Sequence, residues 1–130
     1  MSQENVEILR ALYGPWARGD FHASADQVAG FEWVQLTGAV EPGSHRGAEA
    51  QRALGRIFEV YENFRVEAEE YIDAEDKVVV VARCYGKARG SGMQLDEQFA
   101  FVWTVRDSKP VRMEQYPSRR EALEAGGLEG

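Results

Sequence analysis

The chain has 130 residues, a formal net charge of −7, and 44% hydrophobic and 28% charged residues. This balance is typical of a soluble globular protein and excludes a largely disordered chain, and the length predicts one domain over residues 1–130. The acidity argues against a nucleic-acid partner, because binding to phosphates needs a basic face.

The sequence also limits location and redox chemistry. No apolar run approaches the roughly 18 residues of a membrane span, and the first ten residues lack the basic and apolar regions of a secretory signal. We therefore expect a cytoplasmic protein with no membrane partner. Cys84 is the single cysteine, so neither a disulfide within the chain nor a cysteine metal cluster can form. Its apolar neighbours favour a buried residue over a nucleophile.

The first half of the chain predicts three helices and one strand. Apolar residues recur at helical spacing in the first segment, and Gly14-Pro15 indicates an irregular last turn. Asp20 ends this helix and can cap the next one. The apolar stripe of the first helix consists of Val6, Leu9, Leu12, Tyr13 and Trp16. The elements that follow are a helix over 21–28, a strand over 31–36, a loop over 37–47 and a helix over 48–61.

The second half predicts a sheet and a closing helix. Strands are predicted over 64–73, 78–87 and 94–105, with a returning strand after a turn over 106–109 and a last helix that ends near Leu123. The residues predicted to share one face of the first of these strands are Phe64, Val66, Ala68 and Ile72. Those predicted to share one face of the long strand are Leu95, Glu97, Phe99, Phe101, Trp103 and Val105. Helices followed by antiparallel strands indicate an α+β domain.

The segments GDFHASADQVAGFEW, HRGAEA, FRVEAEEYIDAEDKVVVVARCYGKARGSG and FAFVWTVRDSKPVRMEQYPSRREAL resemble the SnoaL-like branch of the nuclear-transport-factor-2-like superfamily. The resemblance covers about residues 2–123. It implies a cone-shaped fold, in which a curved antiparallel sheet wraps around N-terminal helices and encloses a deep, mostly apolar pocket. It also implies homodimers that pack through the outer sheet face. Members include polyketide cyclases, ketosteroid isomerases, limonene epoxide hydrolases and proteins without known activity.

Most catalytic positions of these relatives carry other residues here. The resemblance aligns the base of the ketosteroid isomerases with Gln35, whose amide cannot take a proton at neutral pH. It aligns their oxyanion-hole tyrosine and aspartate with Leu12 and Phe101, and the acid of the SnoaL-type cyclases with Gln115. Tyr13 is one residue from the tyrosine position. One residue turns about 100° around a helix, so Tyr13 is predicted to face elsewhere.

Glu114 is the best remaining candidate for a general base, ahead of Glu97. A hairpin that turns at Asp107-Ser108 would pair Phe101 with Glu114 and put both on the pocket face. Aromatic neighbours would then exclude water from the Glu114 carboxylate and raise its pKa. The Tyr116 hydroxyl could orient a ligand carbonyl. The alternative partners of Glu114 are Arg112, Arg83 and solvent at the mouth of the cone.

His45 is the third candidate for acid-base work, because the resemblance places its loop close to the pocket mouth. The alternative is a simply exposed side chain. Two widely separated histidines without clustered acids do not predict a metal site, and we expect no cofactor. The residues predicted to line the pocket are Leu12, Trp16, Trp33, Gln35, Phe58, Phe101 and Trp103.

Two functions remain open from the sequence. The first is a pocket for a small hydrophobic ligand, with possible isomerisation or cyclisation of a carbonyl compound by proton transfer. The second is a non-catalytic ligand-binding or dimerisation module that has lost the catalytic residues of its relatives. An unpaired, buried Glu114 would favour catalysis, whereas a cavity filled by Trp16, Phe101 and Trp103 would favour the module. A homodimer is expected in either case.

Overall fold

A computed structural model describes residues 2–20, 32–35, 43–46 and 48–128. The elements are α1 (Ser2–Trp16), β1 (Glu32–Gln35), β2 (Gly43–Arg46), α2 (Ala48–Val60), β3 (Tyr61–Ala74), β4 (Lys77–Ala88), β5 (Gln94–Arg106), β6 (Lys109–Tyr116) and α3 (Arg119–Ala125). The strands form one six-stranded sheet in the order β2-β1-β6-β5-β4-β3. Neighbouring strands are antiparallel except β1 and β6, which are parallel. The predicted α+β fold, a curved sheet around N-terminal helices, is confirmed.

The structure differs from the prediction in the first half of the chain. Residues 43–46 form β2, antiparallel to β1, where the sequence predicts a loop. That prediction is wrong for these four residues, because Gly-Ser-His-Arg shows no apolar alternation and is extended only through its backbone pairing with β1. The third predicted helix ends at Val60, and Tyr61 already belongs to β3. The helix predicted over 21–28 lies outside the described residues.

The main core lies between α1 and one face of the sheet, which we call the concave face. The apolar stripe of α1 packs against alternate residues of β3, β4, β5 and β6. Burial removes these side chains from water, which is the main stabilising term of such a core. The members of this core are Val6, Leu9, Leu12, Tyr13, Ile57, Val66, Val78, Val80, Ala82, Cys84, Phe101, Trp103, Val105 and Met113. The face predicted for the long strand is therefore confirmed.

A second, smaller core lies on the opposite face of the sheet, which we call the outer face. Here α3 packs its buried Ala122 and Leu123 against β4 and β5. Ser118 caps α3, since its hydroxyl oxygen accepts the backbone N–H of Glu121 at 3.2 Å. The strand residues beneath α3 are Val79, Val81, Ala100 and Val102.

A bulge in β3 reverses the predicted alternation of its second half. The pairing with β4 shifts between Ala68 and Glu70, which leaves Glu69 as the extra residue. Beyond the bulge, Tyr71 packs against the concave-face core and Ile72 against the outer-face core. The prediction that Ile72 shares a face with Ala68 is therefore wrong, because one inserted residue moves every later side chain to the other face.

The hairpin of β5 and β6 also contains a bulge. Asp107 and Ser108 form the predicted turn with φ of 50° and 63°, the left-handed pair that suits a two-residue hairpin loop. The register then shifts, because Thr104 pairs with Arg112 and Val111 becomes the extra residue. Every residue of β6 beyond Val111 is thus displaced by one position from an unbulged hairpin.

This displacement by one residue determines which face of the sheet Glu114 and its neighbours in β6 occupy. Phe101 pairs with Gln115, and Glu114 pairs with Val102. Directly opposed residues of an antiparallel pair point to the same face, and Val102 belongs to the outer-face core. The prediction that Glu114 shares the pocket face with Phe101 is therefore wrong.

Candidate functional site

A cluster of aromatic rings fills the centre of the concave face. The Tyr13 ring centroid lies 4.8 Å from that of Trp16, 6.1 Å from that of Trp103 and 6.5 Å from that of Phe101. Tyr13 is 2% exposed, so the prediction that it faces elsewhere is wrong. The apolar stripe of a packed helix is 100° wide or more. Leu12 and Tyr13 can therefore both lie within it, and both are buried.

Tyr13 carries the polar group of this cluster. The indole Nε1–H of Trp103 donates a hydrogen bond to the Tyr13 hydroxyl oxygen at 2.8 Å, inside the core. Among the described residues, no acceptor is found for the hydroxyl proton of Tyr13 itself. Burial raises the pKa of Tyr13 well above 10, and the hydrogen bond from Trp103 only partly opposes this effect. Tyr13 is therefore a protonated donor at neutral pH.

The concave face becomes less buried toward the hairpin of β4 and β5. Phe58 and Phe64 lie 6.1 Å apart, Tyr61 stacks on Phe64 at 6.2 Å, and all three rings are half-buried. Leu95 and Phe99 are half-buried on the same face. This arrangement presents apolar and aromatic surface next to the buried Tyr13 cluster, as a pocket for a hydrophobic ligand requires.

Cys84 and Glu97 lie opposite each other on this face. Cys84 is 5% exposed, and burial, followed by the charge of Glu97, raises the pKa of its thiol to about 12. The thiol is thus uncharged and a poor nucleophile. The prediction of a small buried cysteine is confirmed. Glu97 is exposed and is an acid of the concave face.

Glu114 and Tyr116 lie together, but on the outer face. The Tyr116 hydroxyl donates to Glu114 Oε1 at 2.5 Å, and Arg112 Nε lies 3.4 Å from Glu114 Oε2 and 3.6 Å from Glu32 Oε1. Tyr116 packs against the outer-face core. Burial, followed by the hydrogen bond to Glu114, raises the pKa of Tyr116 to about 12. The expected Arg112 partner of Glu114 is present, whereas the expected contact with Phe101 is not.

The remaining predicted site residues are only partly described. The backbone register places Trp33 opposite Met113 and His45 opposite Trp33. The side chains of Trp33, Gln35 and His45 lie outside the described residues, so their roles stay predictions. Sequence reasoning missed Tyr13 as a candidate site residue, although its place in the apolar stripe of α1 was a usable signal.

The described ranges 2–20, 32–35, 43–46 and 48–128 contain neither a cluster of metal ligands nor a helix suited to spanning a membrane. No three His, Cys, Asp or Glu side chains there come together as metal ligands would. None of the helices there is long and apolar enough to cross a membrane. The cytoplasmic location expected from the sequence stays a prediction.

Comparison with known proteins identifies similar chains. A family model described as SnoaL-like domain matches residues 9–113, whereas no curated protein matches significantly. TerC, co-crystallised with polyporic acid, is 25% identical, with a TM-score of 0.75 over 95% of this chain and 98% of that one. A nuclear-transport-factor-2-like protein of Burkholderia thailandensis is 27% identical, with a TM-score of 0.77 over 92% and 96%. A protein of Catenulispora acidiphila with a ketosteroid isomerase-like fold, in complex with trimethylamine, is 20% identical, with a TM-score of 0.72 over 94% and 93%.

Proposed function

The chain belongs to the SnoaL-like family, and we propose that it binds a small, neutral, hydrophobic compound through a carbonyl oxygen on its concave face. Relatives of this fold have been crystallised with small molecules, polyporic acid in the case of TerC, which supports a small ligand. The aromatic lining around Tyr13 supports a hydrophobic one, because a charged group would lose its hydration there without a partner.

The Tyr13 hydroxyl is the observation that carries this proposal. A buried donor without an acceptor costs about 1–3 kcal/mol, so such groups in native proteins normally have a partner. A ligand carbonyl oxygen would accept the Tyr13 proton while Trp103 continues to donate to the Tyr13 oxygen. Because the Tyr13 hydroxyl proton has no acceptor among the described residues, binding should favour ligands that carry an acceptor.

The face that binds can be tested with neighbouring residues of β5. Phe99 packs against the concave-face core, and Gln98 points away from it and donates to Glu69 at 2.8 Å. We expect the bicyclic ketone tetralone to raise the melting temperature and quench the tryptophan fluorescence of the wild type. Phe99→Ser should weaken binding roughly tenfold or more, whereas Gln98→Ser should change it by no more than about twofold. Equal losses in both variants, or no binding of any hydrophobic carbonyl compound, would refute the proposal.

The donor can be tested separately by comparing tetralone with tetralin, the hydrocarbon that lacks its oxygen. Tyr13→Phe should reduce the preference for the ketone about fivefold to tenfold, because the hydrogen bond to the ligand is lost. Tyr71→Phe is the matched control, since the Tyr71 ring touches Tyr13 edge-on, with the ring centroids 6.3 Å apart, and is only partly buried. An unchanged ketone preference in Tyr13→Phe would remove Tyr13 from the site.

Proton transfer is a second candidate function, and one observation favours it. Cys84 pairs with Glu97 across β4 and β5 and belongs to the same core as Tyr13, so a protonated donor and a carboxylate lie on the concave face. Glu97 could remove the proton next to a ligand carbonyl while Tyr13 stabilises the enolate oxygen. The roles first predicted for Glu114 and Tyr116 require chemistry on the outer face instead.

Hydrogen–deuterium exchange separates these two assignments. Tetralone should acquire deuterium next to its carbonyl when incubated with the protein in heavy water, faster than in buffer alone. Glu97→Gln should abolish the acceleration, and Glu114→Gln, the same change on the opposite face, should retain it. The reverse result would restore Glu114 as the base, and exchange no faster than in buffer would leave a binding protein without this activity.

A homodimer is the last part of the proposal. On the part of the outer face beside α3, Arg83 lies 2.9 Å from Asp96 and 3.5 Å from Glu69, and these charged side chains are partly exposed. A face with both signs of charge can be self-complementary about a twofold axis. Arg83→Glu should then shift the mass in sedimentation toward the monomer, and Arg52→Glu, an exposed change on α2, should not. A wild type that sediments as a monomer would contradict the dimer.

A further inference from the structure

The side chains of the concave face are fully buried at one end of the sheet and partly exposed at the other, and the exposed end is the candidate entrance. At the end near the turn between β3 and β4, Val78 and Trp103 are fully buried, and Asn5 Nδ2 of α1 donates to the Glu75 carbonyl oxygen at 3.0 Å. At the opposite end, apolar side chains continue outward to the surface. In the described part of the chain, the exposed large hydrophobic residues are Val60 and Met93, at 38% and 72%.

These two residues belong to two segments that face each other at this end. One is the end of α2 with the start of β3, which carries the three half-buried rings Phe58, Tyr61 and Phe64. The other is the loop between β4 and β5, residues 89–93. The Tyr61 side chain passes directly over Gly86 of β4, where an added Cβ would lie 3.1 Å from the Tyr61 Cβ. The ring layer therefore lies between the loop and the buried Cys84.

Arg89 joins the two segments through three contacts. Its backbone N–H donates to the Val60 carbonyl oxygen at 2.9 Å, and its Nε donates to the Phe58 carbonyl oxygen at 3.2 Å. Its guanidinium also lies 3.8 Å from Glu62 Oε2. The side-chain contacts are exposed to solvent and individually weak, so they can break and re-form without unfolding of the core. In the loop, Gly90 and Gly92 have φ of +89° and +76°, which only glycine adopts readily.

We propose that residues 58–61 and 89–93 form a movable rim at the entrance to the concave face, and that the Arg89 side chain is the latch that holds it closed. This inference rests on the proposed function for its purpose, because a rim of this kind controls how fast a hydrophobic ligand enters and leaves. Opening also breaks the backbone hydrogen bond from Arg89 to Val60 and frays the end of the β3–β4 ladder, where Tyr61 pairs with Ala88. It separates the end of α2 from the loop and lifts the ring layer away from Cys84. The hydrogen bond from Trp103 to Tyr13 is kept.

The single cysteine reports on this opening without any ligand. In the closed form the Cys84 thiol is buried, and its raised pKa also keeps it protonated. An aromatic disulfide reagent should therefore react slowly with the wild type at neutral pH. Arg89→Ala removes both side-chain contacts and should speed the reaction roughly threefold to tenfold. Arg89→Lys, which keeps the charge near Glu62 but loses the hydrogen-bond geometry, should give an intermediate rate.

The matched control is Arg106→Ala, an exposed arginine in the hairpin of β5 and β6 at the closed end. It should leave the reaction rate of Cys84 unchanged. Urea unfolding of each variant separates rim opening from global destabilisation. An Arg89→Ala variant with wild-type stability and faster labelling supports the latch. Equal labelling rates in the wild type, Arg89→Ala and Arg106→Ala would overturn it, and so would faster labelling that merely follows a lower unfolding free energy.

Ligand kinetics distinguish failure of the latch from failure of the proposed function. If tetralone binds, stopped-flow fluorescence should show its association and dissociation rates rising together in Arg89→Ala, with the dissociation constant changed by no more than about twofold. Unchanged rates would refute the latch and leave the binding function intact. Faster Cys84 labelling without any tetralone binding would support the rim and refute that ligand class.

Discussion

The hydrogen bond from Trp103 to Tyr13 should contribute measurably to stability, and a double-mutant cycle can isolate it. Both side chains are buried, at 0% and 2% exposure, and the Nε1 to Oη distance is 2.8 Å. Tyr13→Phe removes the hydroxyl oxygen that accepts the Trp103 indole N–H, which is unfavourable. It also removes the Tyr13 hydroxyl proton, which has no acceptor among the described residues, and this is favourable. These effects partly cancel, so we expect a loss of about 0.5–1.5 kcal/mol rather than the larger penalty of a newly unpaired donor.

For a chain of 130 residues, each kcal/mol lowers the melting temperature by about 4 °C, so Tyr13→Phe should melt about 2–6 °C lower. Trp103→Phe should cost more, because the smaller ring also leaves a cavity. The free-energy cost of this cavity is present in Trp103→Phe and in the double variant, so it cancels when the effect of Tyr13→Phe is compared with and without Trp103. The coupling free energy should therefore be about 1 kcal/mol in favour of the pair.

The measurement is urea unfolding followed by circular dichroism, which does not depend on the tryptophan being replaced. Tyr71→Phe is the control, because it removes a hydroxyl from a half-buried ring beside Tyr13 and should cost less than about 0.5 kcal/mol. A coupling free energy near zero would refute the reasoning. It would mean that the Trp103 indole N–H and the Tyr13 hydroxyl contribute to stability independently of the hydrogen bond between them. The function proposed for Tyr13 would then lose its structural basis.

Three further predictions concern other parts of the molecule. Burial raises the pKa of the Cys84 thiol to about 12 from an ordinary value of 9.0, so the folded state keeps a proton that the unfolded state loses. The wild type should lose about 1.4 kcal/mol of stability per pH unit above about pH 9 relative to Cys84→Ala, and parallel stability curves would contradict this. Glu114→Gln should change tetralone affinity by no more than about twofold, because Glu114 lies on the outer face; a tenfold loss in calorimetry would contradict the observed register. Ser118→Ala should lower the melting temperature by about 4 °C through loss of the α3 cap at Glu121, and an unchanged temperature would show that this cap contributes nothing.

Local patterns predicted most of the elements and the chemistry of their faces. The alternation from Leu95 to Val105 assigned the concave face of β5, and the pair Asp107-Ser108 placed the turn. Helical spacing alone assigned Tyr13 to the apolar stripe of α1. These features depend on residues close together in the chain, where side-chain periodicity and turn propensity act directly. The single-domain organisation stays a prediction.

The position of Glu114 depended on contacts between distant residues. An unbulged hairpin from the same turn pairs Glu114 with Phe101, and the extra residue Val111 changes this partner to Val102. Val111 is a β-branched residue, which is common in regular strands, so its own side chain does not mark it as a bulge. The strand β2 poses the same difficulty, since its four residues carry no strand pattern and are extended only because β1 pairs with them.

The sequence by itself determined which residues are apolar, where the chain turns and which family the chain resembles, because periodicity and turn chemistry are local properties. Only the tertiary structure decided which face each acid occupies and that Tyr13 meets Trp103. A shift of one residue in strand pairing costs little locally but moves a side chain through the sheet. That choice is made by the packing of α1 and α3 on the two faces, between residues that lie far apart in the chain.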